Sequence, residues 1–155
     1  MNQVRGHVIS SKKKIWIALL AILLSAALFV GYTICSNPRL EYEVVNGYSG
    51  YHSILTSEKD RSYTLTITPR RGSPTKTTAG TITNEQMKSI RNSLWLNGFL
   101  TLNRDLSDYS ALDDSTERLN VRVGMFRVET GGYGITNKRF RNIVKELETL
   151  ITSQK

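Results

Sequence analysis

A serine and a histidine that lie close in the sequence raise the question of nucleophilic catalysis. Such chemistry needs a histidine beside the serine hydroxyl and a carboxylate that orients the imidazole. Ser49 and His52 belong to the run Gly47-Tyr48-Ser49-Gly50-Tyr51-His52, in which the second glycine comes one position too early for a strand-to-helix nucleophile turn. We therefore predict a connecting turn whose tyrosines pack or lie exposed, and no complete catalytic set.

A second candidate is Ser73-Pro74-Thr75-Lys76, which has the Ser-x-x-Lys spacing of serine acylation motifs. That chemistry places the serine at the start of a helix and uses two further elements, Ser-Asp-Asn and Lys-Thr-Gly. Here the motif lies in a stretch rich in proline and glycine, and Lys76 is followed by two threonines. We interpret the match as a turn between two strands.

Carboxylates are concentrated in one polar run, 103–117. Calcium sites use carboxylates at alternating loop positions together with a glycine that permits the turn, and this run has neither. Zinc has no ligand set, because the chain has one cysteine and two histidines, one of them in the N-terminal tail. We predict a solvated loop, with no metal and no cofactor. Its acidic residues are Asp105, Asp108, Asp113, Asp114 and Glu117.

The most suggestive group is a glycine-rich stretch that leads into a basic helix start. Gly131 and Gly132 open the stretch, and Lys138, Arg139 and Arg141 follow it, although helix starts usually prefer acidic residues. A flexible loop, free backbone N–H groups and three cations would together bind an anion. We therefore predict a site for a polyanion or an envelope protein. The alternatives are that these bases snorkel, pair with the acidic loop 105–117 or face water.

A second basic group consists of Arg70, Arg71 and Lys76, at the tip of a predicted hairpin. Alone, such a group is typical of a solvated turn. Close to a membrane it would contact anionic head groups, at about 1 kcal/mol per basic residue.

These candidates depend on strands, whose positions follow from the alternation of apolar and polar residues. In Ser62–Thr68, for example, Tyr63, Leu65 and Ile67 point to one face and the threonines to the other. Gly124-Met125 predicts a tight turn that needs glycine at its first central position. Strands are predicted at Leu40–Val45, Tyr51–Thr56, Ser62–Thr68 and Lys76–Ile82, and Arg118–Thr130 holds two more.

Two helices are predicted among these strands. Thr83 and Gln86 have the spacing of a capping box, and Gly98 is a natural stop, after which Phe99-Leu100 and Leu102 are expected in the core. The apolar stripe of the first helix is Met87, Ile90 and Leu94, and that of the second is Phe140, Ile143, Val144, Leu147, Leu150 and Ile151.

The order of elements is four strands, a helix, two strands and a helix. Short connections between consecutive strands favour an antiparallel sheet, so the predicted fold class is α+β, with about six strands and two helices on one face. The stretch Tyr51–Ile151 also resembles small extracytoplasmic modules of uncharacterised bacterial membrane proteins and lipoproteins. The resemblance rests on Thr83–Met87, Gly98–Leu102, the Asp-bearing loop, the alternating valines, Gly-Gly-Tyr and the terminal Phe-x-x-Ile helix. It implies an architecture and no catalytic residues.

The segment Ile15–Ile34 has no charged residue in 20 positions. A helix of that length is about 30 Å long, the thickness of the hydrocarbon core of a bilayer. Trp16 and Tyr32 lie near its ends, where amphipathic rings prefer the interface. The rest of the chain is too short to surround a uniformly apolar helix while packing a core of its own. The sequence therefore predicts one transmembrane helix in contact with the lipid bilayer.

The charges that flank this segment predict its orientation. Residues 1–14 hold four basic side chains and no acidic one, whereas Cys35–Asn46 carries Arg39, Glu41 and Glu43. Because Lys and Arg stay cytoplasmic, the C-terminal domain is predicted to be extracytoplasmic. The net charge is +8, half of it in the tail, so the domain is too weakly basic to predict a nucleic-acid partner. The predicted parts are a tail at 1–14, a transmembrane helix at 15–34, a linker at 35–39 and a domain at 40–155.

Two processing events would change the anchor. Cleavage after Ser25–Ala27 would leave a new N-terminus inside the apolar run. Acylation of Cys35 would make a lipoprotein, although Tyr32–Ile34 lacks the leucine and the small residue that usually precede such a cysteine. We prefer an uncleaved signal-anchor, and all three alternatives leave the domain on the same side.

The sequence therefore predicts a single-pass membrane protein whose domain binds or scaffolds a component of the cell envelope. The alternative is an envelope enzyme or enzyme inhibitor of unrecognised type, which would use the His52 turn or the basic helix start. The span itself would also pair with another helix through Ala21, Ser25, Ala27 and Gly31, small residues four apart. A cleft that joins His52 to an acid would favour an enzyme. A flat surface with an exposed aromatic residue or strand edge would favour binding.

Overall fold

The computed structural model describes residues 11–110 and 115–152. The chain divides into two compact units, with the boundary between Cys35 and Ser36. Residues 1–10 of the predicted tail lie outside the described residues, as do Asp113 and Asp114 of the acidic run.

The first unit contains one helix, α1 (Ser11–Cys35), which extends beyond the predicted span at both ends. Lysine is a good helix former, so the run of lysines before the span is helical instead of part of a tail. The segment Lys13–Thr33 is long and apolar enough to cross a membrane. The Ser25 hydroxyl donates to the Ala21 carbonyl at 2.8 Å, which satisfies this polar group within the helix itself.

The second unit contains one antiparallel sheet of six strands in the order β4-β3-β2-β1-β5-β6, which confirms the predicted α+β class. All predicted strands are present, with bounds shifted by up to three residues. The strands are β1 (Arg39–Asn46), β2 (His52–Ser57), β3 (Ser62–Thr68), β4 (Lys76–Thr81), β5 (Ser115–Val123) and β6 (Phe126–Tyr133).

The register of the sheet places the apolar residues on one face, which we call the inner face. Tyr42 at the centre of β1 lies opposite Leu55 of β2 and Leu119 of β5, and Leu55 lies opposite Leu65 of β3. All four are buried. Because side chains alternate along a strand, the residues between them, such as Glu41, point to the opposite, outer face.

The two ends of the sheet differ in which turns they carry. At the Arg39 end, β1 begins opposite Arg122 of β5, and the turn Gly124-Met125 joins β5 to β6. At the opposite end, which we call the Tyr48 end, the β1–β2 turn meets the β3–β4 turn, where the Arg71 N–H donates to the Ser49 carbonyl at 3.3 Å.

Two further helices, α2 (Asn84–Leu96) and α3 (Lys138–Thr152), place their apolar stripes in the same hydrophobic cluster as the inner face. Every stripe residue predicted above is buried. Gly98 ends the α2 region in the left-handed conformation, with φ 58°, as its predicted role requires. Phe99 is fully buried, but Leu100 is 40% exposed. The prediction that both are core residues is wrong for Leu100, because the 3-10 turn Phe99–Thr101 sends neighbouring side chains in different directions.

The predicted capping box is confirmed at the start of α2. The Thr83 hydroxyl accepts the Gln86 N–H at 3.2 Å, and the Gln86 side chain accepts the Thr83 N–H at 2.9 Å. Thr83→Ala is therefore expected to lower the free energy of unfolding by about 1 kcal/mol. The measurement is urea unfolding of the detergent-solubilised full chain in a Trp16→Phe background, where Trp95 is the one tryptophan left.

Thr149→Ala is the matched control for this prediction. Thr149 is exposed on α3 and donates only to the Lys145 carbonyl of its own helix, so alanine there should be neutral or slightly stabilising. Equal losses in the two variants would contradict a capping role for Thr83.

Two loop predictions are wrong. The polar run 103–117 was expected to be one solvated loop, but β5 already begins at Ser115. Gly131 and Gly132 were expected in a flexible loop, but they belong to β6, opposite Arg118 and Glu117. At both positions the neighbouring backbone leaves no space for a Cβ atom, so only glycine fits. A Cβ at Gly131 would lie 2.3 Å from the Glu117 carbonyl oxygen, and one at Gly132 would lie 2.6 Å from the Ser107 nitrogen.

The segment 104–108 lies along the free edge of the edge strand β6, which brings Ser107 close to Gly132. The Leu106 N–H donates to the Gly131 carbonyl at 2.8 Å, and the Asp108 N–H donates to the Tyr133 carbonyl at 2.8 Å. The backbone groups of Gly131 and Tyr133 at this edge of the sheet are therefore satisfied. The other edge strand, β4, pairs with β3 alone in the described part of the chain.

Candidate functional site

Glu117 is the residue that departs most from its predicted setting. Expected in a solvated loop, it lies in β5 on the inner face and is 4% exposed. It ion-pairs with Arg141 of α3, whose guanidinium donates to it. A buried carboxylate needs such partners, since its desolvation is costly.

Tyr42 completes the surroundings of Glu117. Its hydroxyl donates to Glu117 Oε2 at 2.6 Å and is 3.4 Å from Glu148 Oε1. Burial raises the pKa of Tyr42 far above its usual value, and the neighbouring Glu117 and Glu148 carboxylates raise it further. The phenol is therefore neutral over the whole physiological range and acts as a hydrogen-bond donor.

Arg141 connects this group to the chain around it. Its Nε donates to the Ile135 carbonyl at 2.7 Å, and its Nη1 is 4.0 Å from Glu148 Oε1. Burial by itself lowers the pKa of Arg141, but the hydrogen bond to Glu117 and the charges of Glu117 and Glu148 together raise it. We call Tyr42, Glu117, Arg141 and Glu148 the Glu117 cluster. With two carboxylates and one guanidinium, it has a formal charge of −1.

The Glu117 cluster lines an open cleft of about 450 Å³ between the inner face and the last turns of α3. Ser53 also lines the cleft, and its hydroxyl is buried with no hydrogen-bond partner among the described residues. Buried polar groups are nearly always paired, so this hydroxyl is an open hydrogen-bonding group in the cleft, as the Ser57 hydroxyl is in the pocket at the Arg39 end of the sheet. The remaining lining residues are Val44, Tyr51, Ser115, Ile151 and Thr152.

The raised pKa of Tyr42 predicts a loss of stability in alkali. A group whose pKa is higher in the folded than in the unfolded state binds its proton more tightly when folded. Its contribution is complete below the unfolded pKa of about 10 and is lost as pH rises above that value. We expect the free energy of unfolding to fall above pH 10. Tyr42 contributes about 1.4 kcal/mol per pH unit to this fall, because one proton is lost on unfolding.

Urea unfolding of the full chain from neutral to alkaline pH measures this slope. Tyr42→Phe should flatten the alkaline limb. Tyr48→Phe changes a residue that is 91% exposed in the β1–β2 turn, so it should retain the wild-type curve. The same alkaline slope in Tyr42→Phe and the wild type would contradict the prediction.

The predicted anion site at the start of α3 has a different arrangement from the one expected. Asn137 caps the helix, since its side chain accepts the backbone N–H groups of Arg139 and Phe140 at 3.0 and 3.1 Å. Arg139 donates to the carbonyls of Asn97 and Gly98 and to the Thr101 hydroxyl. It therefore satisfies backbone groups left open where α2 ends.

Arg141 fulfils one of the alternatives considered for these bases, because it pairs with Glu117 from the acidic run. Of the predicted anion-binding residues, only Lys138 is without such an internal role in the described chain, and Gly131 and Gly132 are part of the sheet. Asn137 takes up two of the N–H groups and Lys138 is the one cation of the set left unpaired among the described residues, so anion binding here stays a prediction.

The described carboxylates of the acidic run are held by local turns. Asp105 accepts the Ser107 hydroxyl at 2.6 Å and the Ser107 N–H at 2.9 Å, and Asp108 accepts the Ser110 hydroxyl and that of Thr136. These hydrogen bonds lower the pKa of both aspartates. Among the residues that the structure describes, no three His, Cys, Asp or Glu side chains are grouped as a metal would require.

His52 does meet a carboxylate, but on the outer face. Its Nε2 lies 3.0 Å from Glu43 Oε1, and Arg118 Nη1 lies 3.6 Å from Glu43 Oε2. Ser49 is not part of this group, since its hydroxyl donates to Asn46 within the turn at 2.8 Å. The serine and the histidine are therefore not brought together as a nucleophile and base. Likewise, Ser73-Pro74-Thr75-Lys76 lies in the β3–β4 turn and the first residue of β4, not at a helix start.

Sequence reasoning missed the Glu117 cluster, although a signal was present. Glu117 alternates with Leu119, Val121 and Val123, so extending that strand by two residues would have placed it on the inner face. An acidic side chain on a buried face requires a basic partner. Arg141 was a candidate for that partner, because it follows Phe140, the first residue of the buried apolar stripe of α3.

Comparison with protein-family models and with curated proteins finds no match to this chain.

Proposed function

We propose that this chain is a single-pass membrane protein whose C-terminal α+β domain lies outside the cytoplasm and binds a component of the cell envelope. The observation that carries the proposal is the exposure of α1. Trp16, Leu20 and Leu23 are 72%, 69% and 67% exposed, whereas the domain has a core of its own. Such a continuous apolar surface is unfavourable in water and favourable in lipid.

Binding is supported by the edge strand β4. It leaves a row of backbone N–H and C=O groups without a strand partner in the described chain, and its residues Lys76–Ala79 are exposed. An extended segment of another envelope protein would add to such an edge through main-chain hydrogen bonds. The side chains of β4 are small and mostly polar, which suits an intermittent contact.

An envelope enzyme is the second candidate, and the pair His52–Glu43 favours it. A histidine oriented by a carboxylate is one part of a general-base system. In the described residues, however, that ring hydrogen-bonds only to Glu43, and no serine or cysteine side chain is a hydrogen-bond partner. The binding role therefore has more support.

Fractionation of bacterial cells that express the full chain tests the membrane assignment. The protein should stay in the membrane pellet through high-salt and urea washes and should be released only by detergent. Recovery in the soluble fraction would contradict the proposal. Cys35→Ser tests for a lipid anchor by chain mass, since cleavage and acylation at Cys35 would shorten the wild type but not this variant, whereas an uncleaved helix gives both the same length.

A photo-reactive residue at Ala79 tests the binding role in intact cells. Ala79 is exposed in the middle of β4, and Thr149 on α3 is an equally exposed position for the control. A discrete adduct from position 79 and none from position 149 is expected. The same pattern from both positions would contradict binding at the β4 edge.

A further inference from the structure

The Arg39 end of the sheet carries a row of three arginines on its outer face. Arg39 of β1 lies directly opposite Arg122 of β5, and Arg122 lies opposite Arg127 of β6. Like charges placed directly across strands repel each other. Three arginines in adjacent positions therefore form a positively charged surface that an anionic partner would stabilise.

Internal pairing neutralises only one of the three. Arg39 Nε is 2.7 Å from Glu58 Oε2, whereas neither Arg122 nor Arg127 forms an ion pair within the described chain. The row lines an open pocket of about 200 Å³ together with Asn120 and two carboxylates, Glu41 and Glu58. At this end of the domain, basic side chains outnumber acidic ones. The basic residues are Arg39, Lys59, Arg61, Arg122 and Arg127, and the acidic ones are Glu41, Glu58, Asp60 and Glu85.

An apolar turn lies at the same end of the sheet as this row, with Phe126 on the inner face opposite Val123. Gly124, with φ 59°, forms the β5–β6 turn, and Met125 and Phe126 are 72% and 36% exposed there. Exposed apolar side chains next to unpaired cations are the composition of segments that lie in the membrane interface, where chains enter the acyl boundary and bases meet phosphates.

The short connection between the two units limits how far Arg39 can lie from a membrane that α1 would span under the proposed function. Three residues, Ser36–Pro38, connect Cys35 to Arg39, and an extended chain covers about 14 Å over that step. The β3–β4 turn with Arg70 and Arg71, considered above as a head-group contact, is instead at the Tyr48 end.

We propose that the Arg39 end is a docking surface for anionic phospholipid head groups of the membrane that anchors the chain. Arg122 and Arg127, with Arg39, bind the phosphates, and Met125 and Phe126 enter the interface. The inference rests on the proposed function, since it requires a membrane-spanning α1. Docking in this way points the Tyr48 end, where Ser53 and Tyr51 line the cleft, away from the bilayer.

The test uses the full chain in nanodiscs, in a Cys35→Ser background. Met125→Cys or Tyr48→Cys carries an environment-sensitive fluorophore, and lipids with a nitroxide head group act as the quencher. Discs contain phosphatidylcholine alone or mixed with phosphatidylglycerol. The label at position 125 should be quenched and blue-shifted in the mixed discs and much less in phosphatidylcholine, whereas the label at position 48 should change in neither.

Arginine variants test the charge contribution. Arg122→Gln with Arg127→Gln should lower the ratio of docked to undocked domain about 30-fold, at about 1 kcal/mol per basic residue near the surface. Arg70→Gln with Arg71→Gln removes the same charge at the Tyr48 end and should leave that ratio unchanged. Equal quenching at positions 125 and 48 would overturn the docking surface. So would quenching at position 125 that does not depend on phosphatidylglycerol, or that is unchanged in the variant with Arg122→Gln and Arg127→Gln. Failure of the chain to remain in discs would instead overturn the membrane anchor itself.

Discussion

Replacing Glu117 with alanine is expected to lower the free energy of unfolding by about 3 kcal/mol. The loss has two sources. Arg141 loses the partner that offsets its partial burial, and the Tyr42 hydroxyl, on a fully buried residue, loses its acceptor at 2.6 Å. Each group left buried and unpaired is costly. The measurement is urea unfolding of the solubilised full chain, followed by Trp95 fluorescence in the Trp16→Phe background.

Glu148→Ala is the matched control, because it removes a carboxylate from the same cluster. The Glu148 side chain is 52% exposed and lies 4.0 Å from Arg141, so its loss should cost less than about 1 kcal/mol. A combined variant with Glu117→Leu, Arg141→Leu and Tyr42→Phe should recover most of the stability. It removes both charges of the ion pair and the hydroxyl that donates to it, so none of these groups is left buried and unpaired. Equal losses for Glu117→Ala and Glu148→Ala would contradict the central place of Glu117.

Placing two arginines in the middle of α1 is expected to abolish membrane retention. Leu23→Arg with Leu24→Arg changes two exposed leucines of the apolar segment. Each arginine at the centre of a span costs about 3 kcal/mol of insertion free energy, so the pair opposes insertion by about 6 kcal/mol. The measurement is the fraction of full-length protein in the urea-washed membrane pellet.

Leu96→Arg is the control for this prediction. Leu96 is 86% exposed at the end of α2, so the same chemical change there should not alter the pellet fraction. If the α1 variant stayed in the membrane as fully as the Leu96 variant, the apolar helix would not be the anchor.

Much of the fold was predictable because its signals are local. Alternation along Ser62–Thr68, the Thr83–Gln86 capping box and the stripe that runs from Phe140 to Ile151 each depend on neighbours within one or two turns or strands. Each of these features has the predicted position in the structure.

The candidate site was not predictable in the same way, because its contacts join residues far apart in the chain. Glu117 meets Tyr42 across 75 residues, and no local pattern encodes that pairing. Gly131 and Gly132 predict a flexible loop by composition, but glycine is required there because neighbouring backbone approaches too closely for a Cβ. The basic residues at the start of α3 were expected to bind an external anion, yet Arg139 and Arg141 satisfy groups of the protein itself. Composition alone does not distinguish these two uses of a cation.

The most direct test of the membrane-tethered arrangement is a pair of reporter fusions after Lys155 in a bacterial host. Alkaline phosphatase is active only outside the cytoplasm. Green fluorescent protein fluoresces when it stays in the cytoplasm and remains dark when it is exported unfolded across the membrane. We predict an active phosphatase and a dark fluorescent protein, as expected for an N-terminus that its lysines hold in the cytoplasm. A fluorescent fusion with an inactive phosphatase would place the domain in the cytosol and contradict the account.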